Sequence, residues 1–212
     1  MVGKDQVVQW LHAVAGVLEQ SKDYLTELDA AIGDADHGIN MDRGFKKVVE
    51  KLPLVADGDI GSILKDTGMT LVSSVGGASG PLYGTLFMRA GMAVQARSEL
   101  NATDVAALLQ AGLAGVVERG KAQVGDKTMV DALVPGVEAF EKAVKAGHDT
   151  AAALQQVVAA TKQGMKDTIP LHARKGRASY LGERSVGHQD PGATSTFLML
   201  KTLLDAVSSK GT

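Results

Sequence analysis

Asp29, Asp34 and Asp36 fall within eight residues, in the run LDAAIGDADHG, and His37, Gly38 and Asn40 stand close behind. Gly33 and Gly38 interrupt this stretch, so the carboxylates do not spread along one continuous helix, and the chain is free to fold back and gather them. Carboxylates brought together repel unless a positive charge lies between them, and hard divalent cations prefer such oxygen ligands. The same residue types also build ordinary turns and cap helices. The metal reading therefore depends on what the rest of the chain supplies.

Two further stretches carry polar chemistry. In SSVGGASGPLYGT, Ser73–Thr85, the glycines Gly76, Gly77, Gly80 and Gly84 allow close backbone approach, and Ser79 and Thr85 add hydroxyls where a helix begins. A helix start presents free amides and a positive dipole end to a phosphate. Glycine also serves plain helix-to-helix turns. Further on, Arg174, Lys175, Arg177 and Arg184 offer cations that meet phosphoryl oxygens, guanidinium bidentately, although a solvated surface would read the same way. Asp190-Pro191-Gly192 is a stiff turn opening the last helix, suited to wall a flat ring such as adenine or simply to cap. Carboxylates for divalent ions, amides for phosphates and arginines for developing charge are together the parts of phosphoryl transfer.

Several other signatures fail. Gly115–Ala122 resembles a phosphate-binding loop until Ala122 stands where Ser or Thr is required, and it lies along a predicted helix with no strand before it. Neither HExxH nor GxSxG occurs, and His12 and His148 have no ligand spacing. The chain has no Cys, which excludes disulfides, thiolate metal sites and a thiol nucleophile. A formal net charge of -2 shows no basic surface for nucleic acid. No apolar run spans a bilayer, and MVGKDQVVQWLHAV turns amphipathic at once, so no membrane association and a soluble cytoplasmic protein are expected.

The elements that must hold these residues are helical. Apolar residues make up 45% of the 212 residues but aromatics only 4%, so Ala, Leu, Val and Met carry the core, as suits closely packed helices. The 25 glycines exceed the usual ~7% share and cluster at residues 33–44, 76–84 and 176–192, which read as working loops. Periodicity predicts eight helices: residues 3–21, with Val7, Trp10, Leu11, Val14 and Leu18 inward; Asn40–Leu52, ending near Pro53; one capped by Asp59 and stopped by Gly76–Gly77; one with Pro81 in its first turn; one from Thr103; Lys127–Ala146, kinked at Pro135; Thr150–Thr168; and Gly192–Ser208. Short connections make neighbours antiparallel. Residues 170–191 form the one long irregular piece, with Leu171, Tyr180 and Leu181 as anchors; such loops are commonly functional. One domain over residues 1–212 is expected.

The stretches IGDADHGINMDRG, SSVGGASGPLYGT, GDKTMVDAL and ARKGRASYLGERSVGHQDPGA resemble, in order, those of the nucleotide-binding subunits of dihydroxyacetone kinases, from Trp10 to about Leu200. The resemblance implies an all-α, eight-helix antiparallel barrel holding ADP or ATP in loops at one end. It implies two Mg²⁺ ions on Asp29, Asp34 and Asp36. His37, Gly38, Ile39, Asn40, Ala78 and Ser79 would line the nucleotide. Gly120, Met129 and Asp190, Pro191 and Gly192 would enclose ribose and base, with Arg177 catalytic at the phosphoryl group. Three carboxylates do not cancel two Mg²⁺ ions, so an anionic nucleotide completes the charge balance. In that family dihydroxyacetone sits on a separate partner subunit, and in its bacterial systems a phosphodonor of the phosphotransferase system recharges the bound nucleotide. Since the chain carries no substrate domain, it is expected to be the separate-subunit type. The alternatives are a subunit exchanging ATP freely and a nucleotide-loaded module contacting a transcription regulator.

Overall fold

Cap chemistry sets most helix starts. Asp59, Asn101, Thr128, Asp149 and Asp190 each accept a hydrogen bond from a backbone N–H two or three residues on, at 3.0, 2.9, 3.1, 2.8 and 2.7 Å, satisfying donors that the first helical turn leaves unpaired. The computed structural model describes residues 1–209, so the end of the span expected as one domain lies outside the described residues. Nine α-helices occur among them: α1 Lys4–Gln20, α2 Lys22–Ile32, α3 His37–Val55, α4 Ile60–Ser74, α5 Ser79–Ala93, α6 Ala102–Gly120, α7 Met129–Lys145, α8 Thr150–Asp167 and α9 Pro191–Ser208. Two short strands, β1 Val2–Gly3 and β2 Glu99–Leu100, pair antiparallel. No described helix is long and apolar enough to cross a membrane.

Eight of the helices form a closed ring. From α3 to α9 each packs on its successor, α9 packs on α1, and α1 packs on α3. This is the expected all-α barrel. Its core is aliphatic, with Leu11, Val14, Ile63 and Val157 fully buried around a small aromatic group. Phe87 touches Trp10 and Phe45, with ring centroids 5.7 and 6.0 Å apart. The indole of Trp10 donates to the Met199 carbonyl at 3.0 Å, which ties α1 to α9 and shuts the ring.

The remaining helix, α2, is absent from the sequence expectation. Only Leu25, Asp29 and Ile32 are buried along it, too few apolar positions to announce a helix. It lies outside the ring against α3, where the chain turns at Ser21. Gly38 permits that approach: a Cβ there would lie 2.0 Å from the Lys22 carbonyl. Helix α3 also begins at His37, earlier than Asn40, because the amides of Asp36 and His37 find acceptors on Asp29. Helix α7 runs on through Pro135; the Asp131 carbonyl, deprived of its helical donor, is overlain by Gly164 of α8, where a Cβ would approach to 2.2 Å.

The segment between α8 and α9 contains a 3₁₀ stretch, Arg177–Ser185, broken at Gly182 with φ 57°. Tyr180 is 87% exposed and anchors nothing. Buried polar groups hold the segment instead. The Lys127 ammonium donates to the carbonyls of Thr168 (2.7 Å), Ile169 (3.3 Å), Leu171 (3.2 Å) and His188. Ser185 accepts from the Ala173 amide at 2.9 Å.

Candidate functional site

The loops at one end of the ring enclose a cleft of about 560 Å³. Its acidic corner is built from the end of α2 and the turn into α3. Asp29 and Asp36 flank the bend; Ala35 between Asp34 and Asp36 adopts φ 60°, a left-handed conformation that non-glycine residues rarely hold. One carboxylate oxygen from each of Asp29, Asp34 and Asp36 lies within 4.8 Å of the others. Asp29 is buried, and its Oδ2 accepts from the amides of Asp36 at 2.8 Å and His37 at 3.1 Å. A Cβ at Gly33 would sit 2.1 Å from Asp29 Oδ1, so glycine leaves that oxygen clear. The donor set is all hard oxygen and suits a divalent cation such as Mg²⁺. A cation already faces it: Arg177 Nε donates to Asp34 Oδ2 at 2.7 Å.

Beside this corner the cleft is lined by amides. Helix α5 starts at Ser79 without a side-chain cap, and Pro81 contributes no N–H, so the first-turn donors at Ser79 and Gly80 are left for a ligand. Gly76, Gly77, Ala78 and Ser79 all border the cleft. His37 is buried between two hydroxyls, Nδ1 lying 3.1 Å from Ser79 Oγ and Nε2 2.9 Å from Ser195 Oγ. Burial lowers its pKa to about 4, against the opposing pull of Asp29, so the imidazole is neutral at pH 7. Tyr83 continues the chain, its hydroxyl 2.7 Å from Ser195 Oγ and 3.0 Å from Thr196 Oγ1. Burial pushes that phenol up to about 12.

Apolar residues also line the cleft: Leu82, Val116, Ala122, Met129 and Pro191, together with Arg119, Gly120 and Gly192. Asp190 caps α9 by accepting from the Ala193 amide, and burial raises its pKa to about 7.

The structure thus gathers Asp29, Asp34, Asp36, His37, Ala78, Ser79, Gly120, Met129, Arg177, Asp190, Pro191 and Gly192 around one cleft. Gly38, Ile39 and Asn40 are not in its wall. Gly38 packs on α2, Ile39 is half exposed, and Asn40 lies beneath Gly76 while accepting from Arg43 at 2.6 Å. Thr85 donates to the Pro81 carbonyl at 2.7 Å and stays outside as well. Of the four loop cations, Lys175 and Arg177 border the cleft and Arg174 and Arg184 do not. Tyr83, Lys127 and Ser195 escape a reading of the sequence. Ser195 had one available signal, its place one helical turn beyond Asp190-Pro191-Gly192.

Comparison with known proteins gives a consistent picture. Residues 31–205 match the family model described as the DAK2 domain. The chain is 52% identical to the ADP-binding subunit DhaL of PEP-dependent dihydroxyacetone kinase from Escherichia coli, over 95% of this chain and 96% of that one. It is 41% identical to the ADP-binding subunit DhaL of PTS-dependent dihydroxyacetone kinase from Lactococcus lactis, over 98% and 100%. Among solved structures it is similar to the dihydroxyacetone kinase of C. freundii in complex with AMP-PNP and Mg²⁺, with TM-score 0.71 and 26% identity over 94% of this chain. It spans 33% of that longer kinase.

Proposed function

Since the chain belongs to the DAK2 domain family, we propose that it acts as one nucleotide-binding domain, the ADP-binding subunit of a dihydroxyacetone kinase. In this reading it passes a phosphoryl group from bound ATP to dihydroxyacetone on a separate partner subunit. A phosphotransferase-system protein then recharges the ADP in place. Near end-to-end similarity to ADP-binding subunits supports the subunit assignment. The observation that carries the chemistry is the convergence of Asp29, Asp34 and Asp36 beside the uncapped start of α5.

Asp29, Asp34 and Asp36 would hold Mg²⁺. A Mg²⁺ held there would supply Lewis-acid neutralisation of the charge that develops on the phosphoryl group during transfer. Asp29 is oriented for this task because two amides fix Oδ2 and leave Oδ1 toward the cleft. The α5 amides and the Ser79 hydroxyl hold phosphate oxygens, while Met129, Gly120 and Asp190–Gly192 enclose ribose and base. Gly38 and Asn40 act one layer out, shaping the turn and supporting the glycine loop. Arg177 is the one cation of the loop that already touches the acidic corner. Exchanging Asp34 for a phosphoryl group would give its guanidinium two oxygens of higher charge to meet.

The test is reconstitution. The purified chain, its dihydroxyacetone-binding partner, Mg²⁺ and the phosphodonor proteins are expected to phosphorylate dihydroxyacetone. Asp34→Ala is expected to lower the rate about a hundredfold, the upper end of the roughly 10–100-fold loss typical when even the support of a metal ligand is removed. Full activity in that variant would remove the metal role.

A further inference from the structure

Four side chains on three helices, α3, α5 and α9, form a continuous hydrogen-bonded row from the core to the cleft. Tyr83 of α5 meets Ser195 of α9 at 2.7 Å, Ser195 meets His37 Nε2 at 2.9 Å, and His37 Nδ1 meets Ser79 Oγ at 3.1 Å. We propose that Tyr83 and Ser195 are positioning residues: they hold His37 as the Nδ1–H tautomer and so turn the Ser79 hydroxyl proton toward the phosphates. The inference rests on the reading of the cleft as a nucleotide site and assigns a direction to the row behind it.

The direction follows from counting protons. Each hydroxyl has one proton, and a neutral imidazole has one donor and one acceptor nitrogen, so an unbroken row can run in only two directions. If the row runs outward, Tyr83 donates to Ser195, Ser195 donates to Nε2, and Nδ1–H donates to Ser79. The Ser79 proton is then left over, and no other described side chain takes it. If the row runs inward, Ser79 gives its proton to Nδ1 and presents only lone pairs to the cleft, where an anion would be repelled.

Local distances favour the outward direction. A phenol is a stronger donor than an aliphatic hydroxyl, and Ser195 is the nearest partner of Tyr83. The competing acceptors, the Gly192 carbonyl and Thr196 Oγ1, both stand farther from Tyr83, at 3.0 Å, and that carbonyl already accepts from Thr196 Oγ1 at 2.8 Å. Ser195 has its own helical acceptors at Pro191 (3.2 Å) and Gly192 (3.1 Å), both longer than its contact with Nε2. All three interior members are buried, with Tyr83, Ser195 and His37 at 1%, 0% and 7% exposure, so water does not scramble the order.

Two measurements test this. Two-bond proton–nitrogen spectra of the ¹⁵N-labelled chain without nucleotide are expected to show His37 protonated on Nδ1 and bare on Nε2. Ser195→Ala is expected to reduce the Nδ1–H population and weaken Mg-ADP binding five- to tenfold, and Tyr83→Phe to weaken it about threefold, in keeping with one buried hydrogen bond each. A proton on Nε2 in the parent chain overturns the proposal. So does a Ser195→Ala variant with unchanged tautomer and unchanged affinity. Failure of the parent chain to bind Mg-ADP would count against the nucleotide reading instead, and the spectra would still report the direction of the row.

Discussion

Asp190 serves two masters. As the cap of α9 it accepts from the Ala193 amide at 2.7 Å, a bond that favours the carboxylate. As a residue only 8% exposed it suffers desolvation, which disfavours the carboxylate more strongly and raises its pKa to about 7 from 3.8. Nearby Lys127 offsets part of this, but its ammonium is committed to four carbonyls. The consequence for stability has a definite sign. A group whose folded pKa lies above its unfolded value stabilises the fold fully below the unfolded pKa and loses that contribution as pH rises through the folded pKa. The ligand-free protein should therefore lose stability from Asp190 between about pH 4 and pH 7. Asn caps a helix as well as Asp and does not titrate. Asp190→Asn is accordingly expected to match the parent near pH 4 and exceed it at pH 8, by at most about 4 kcal/mol. Urea unfolding across that range checks it; a deficit in the variant that is equal at every pH would show that capping outweighs desolvation.

At the level of elements, close approach of helices decides more than apolar area does. Helices α4 and α5 pack through two glycine pairs: a Cβ at Gly68 would lie 2.6 Å from the Gly84 carbonyl, and one at Gly91 would lie 2.5 Å from the Gly61 carbonyl. The neighbours there are backbone, which moves only with its helix. Gly68→Ala is expected to destabilise the fold by about 1–3 kcal/mol, the usual cost of overpacking. Gly16 of α1 has nothing within 4 Å, so Gly16→Ala is expected to stabilise by up to about 1 kcal/mol through helix propensity alone. Thermal melts of the two variants should move in opposite directions. This scale also shows what the sequence reveals of the fold. Stretches with a dense apolar stripe and a clear cap, such as α4, α8 and α9, are legible to within a residue or two because both signals are local, and the stripe of α1 suffices without a side-chain cap. Helix α2 is not, since its core-facing side is only Leu25, Asp29 and Ile32, and Asp29 is buried by a bond to the next turn rather than by hydrophobicity. The start of α3 moves for the same reason.

On the scale of the whole molecule, the site is a product of antiparallel order. In a ring of eight alternating helices, every second one starts at the same end. Helices α3, α5, α7 and α9 start at His37, Ser79, Met129 and Pro191, and all four residues border the cleft. Four positive helix ends therefore face one volume, which favours polyanions, while three aspartates in the same volume favour cations. The aspartates and the glycine and arginine loops are readable as separate motifs, because each is contiguous. The His37, Ser195 and Tyr83 row is not readable, because its members are brought together only when α9 closes on α1. Mixed charge of this kind predicts mutual dependence: metal without nucleotide meets four positive dipole ends, and nucleotide without metal meets three carboxylates. Mg²⁺ with ADP at a hundred times its Kd should stabilise the closed ring by about 2.7 kcal/mol, a rise of roughly 5–10 °C in Tm for a chain this long. Mg²⁺ alone, or ADP with a chelator, should give a small fraction of that. Differential scanning calorimetry with the four combinations is the measurement, after stripping any resident ligand. An equal rise with ADP and chelator would mean that the aspartates take no part in nucleotide binding and that the helix ends alone suffice.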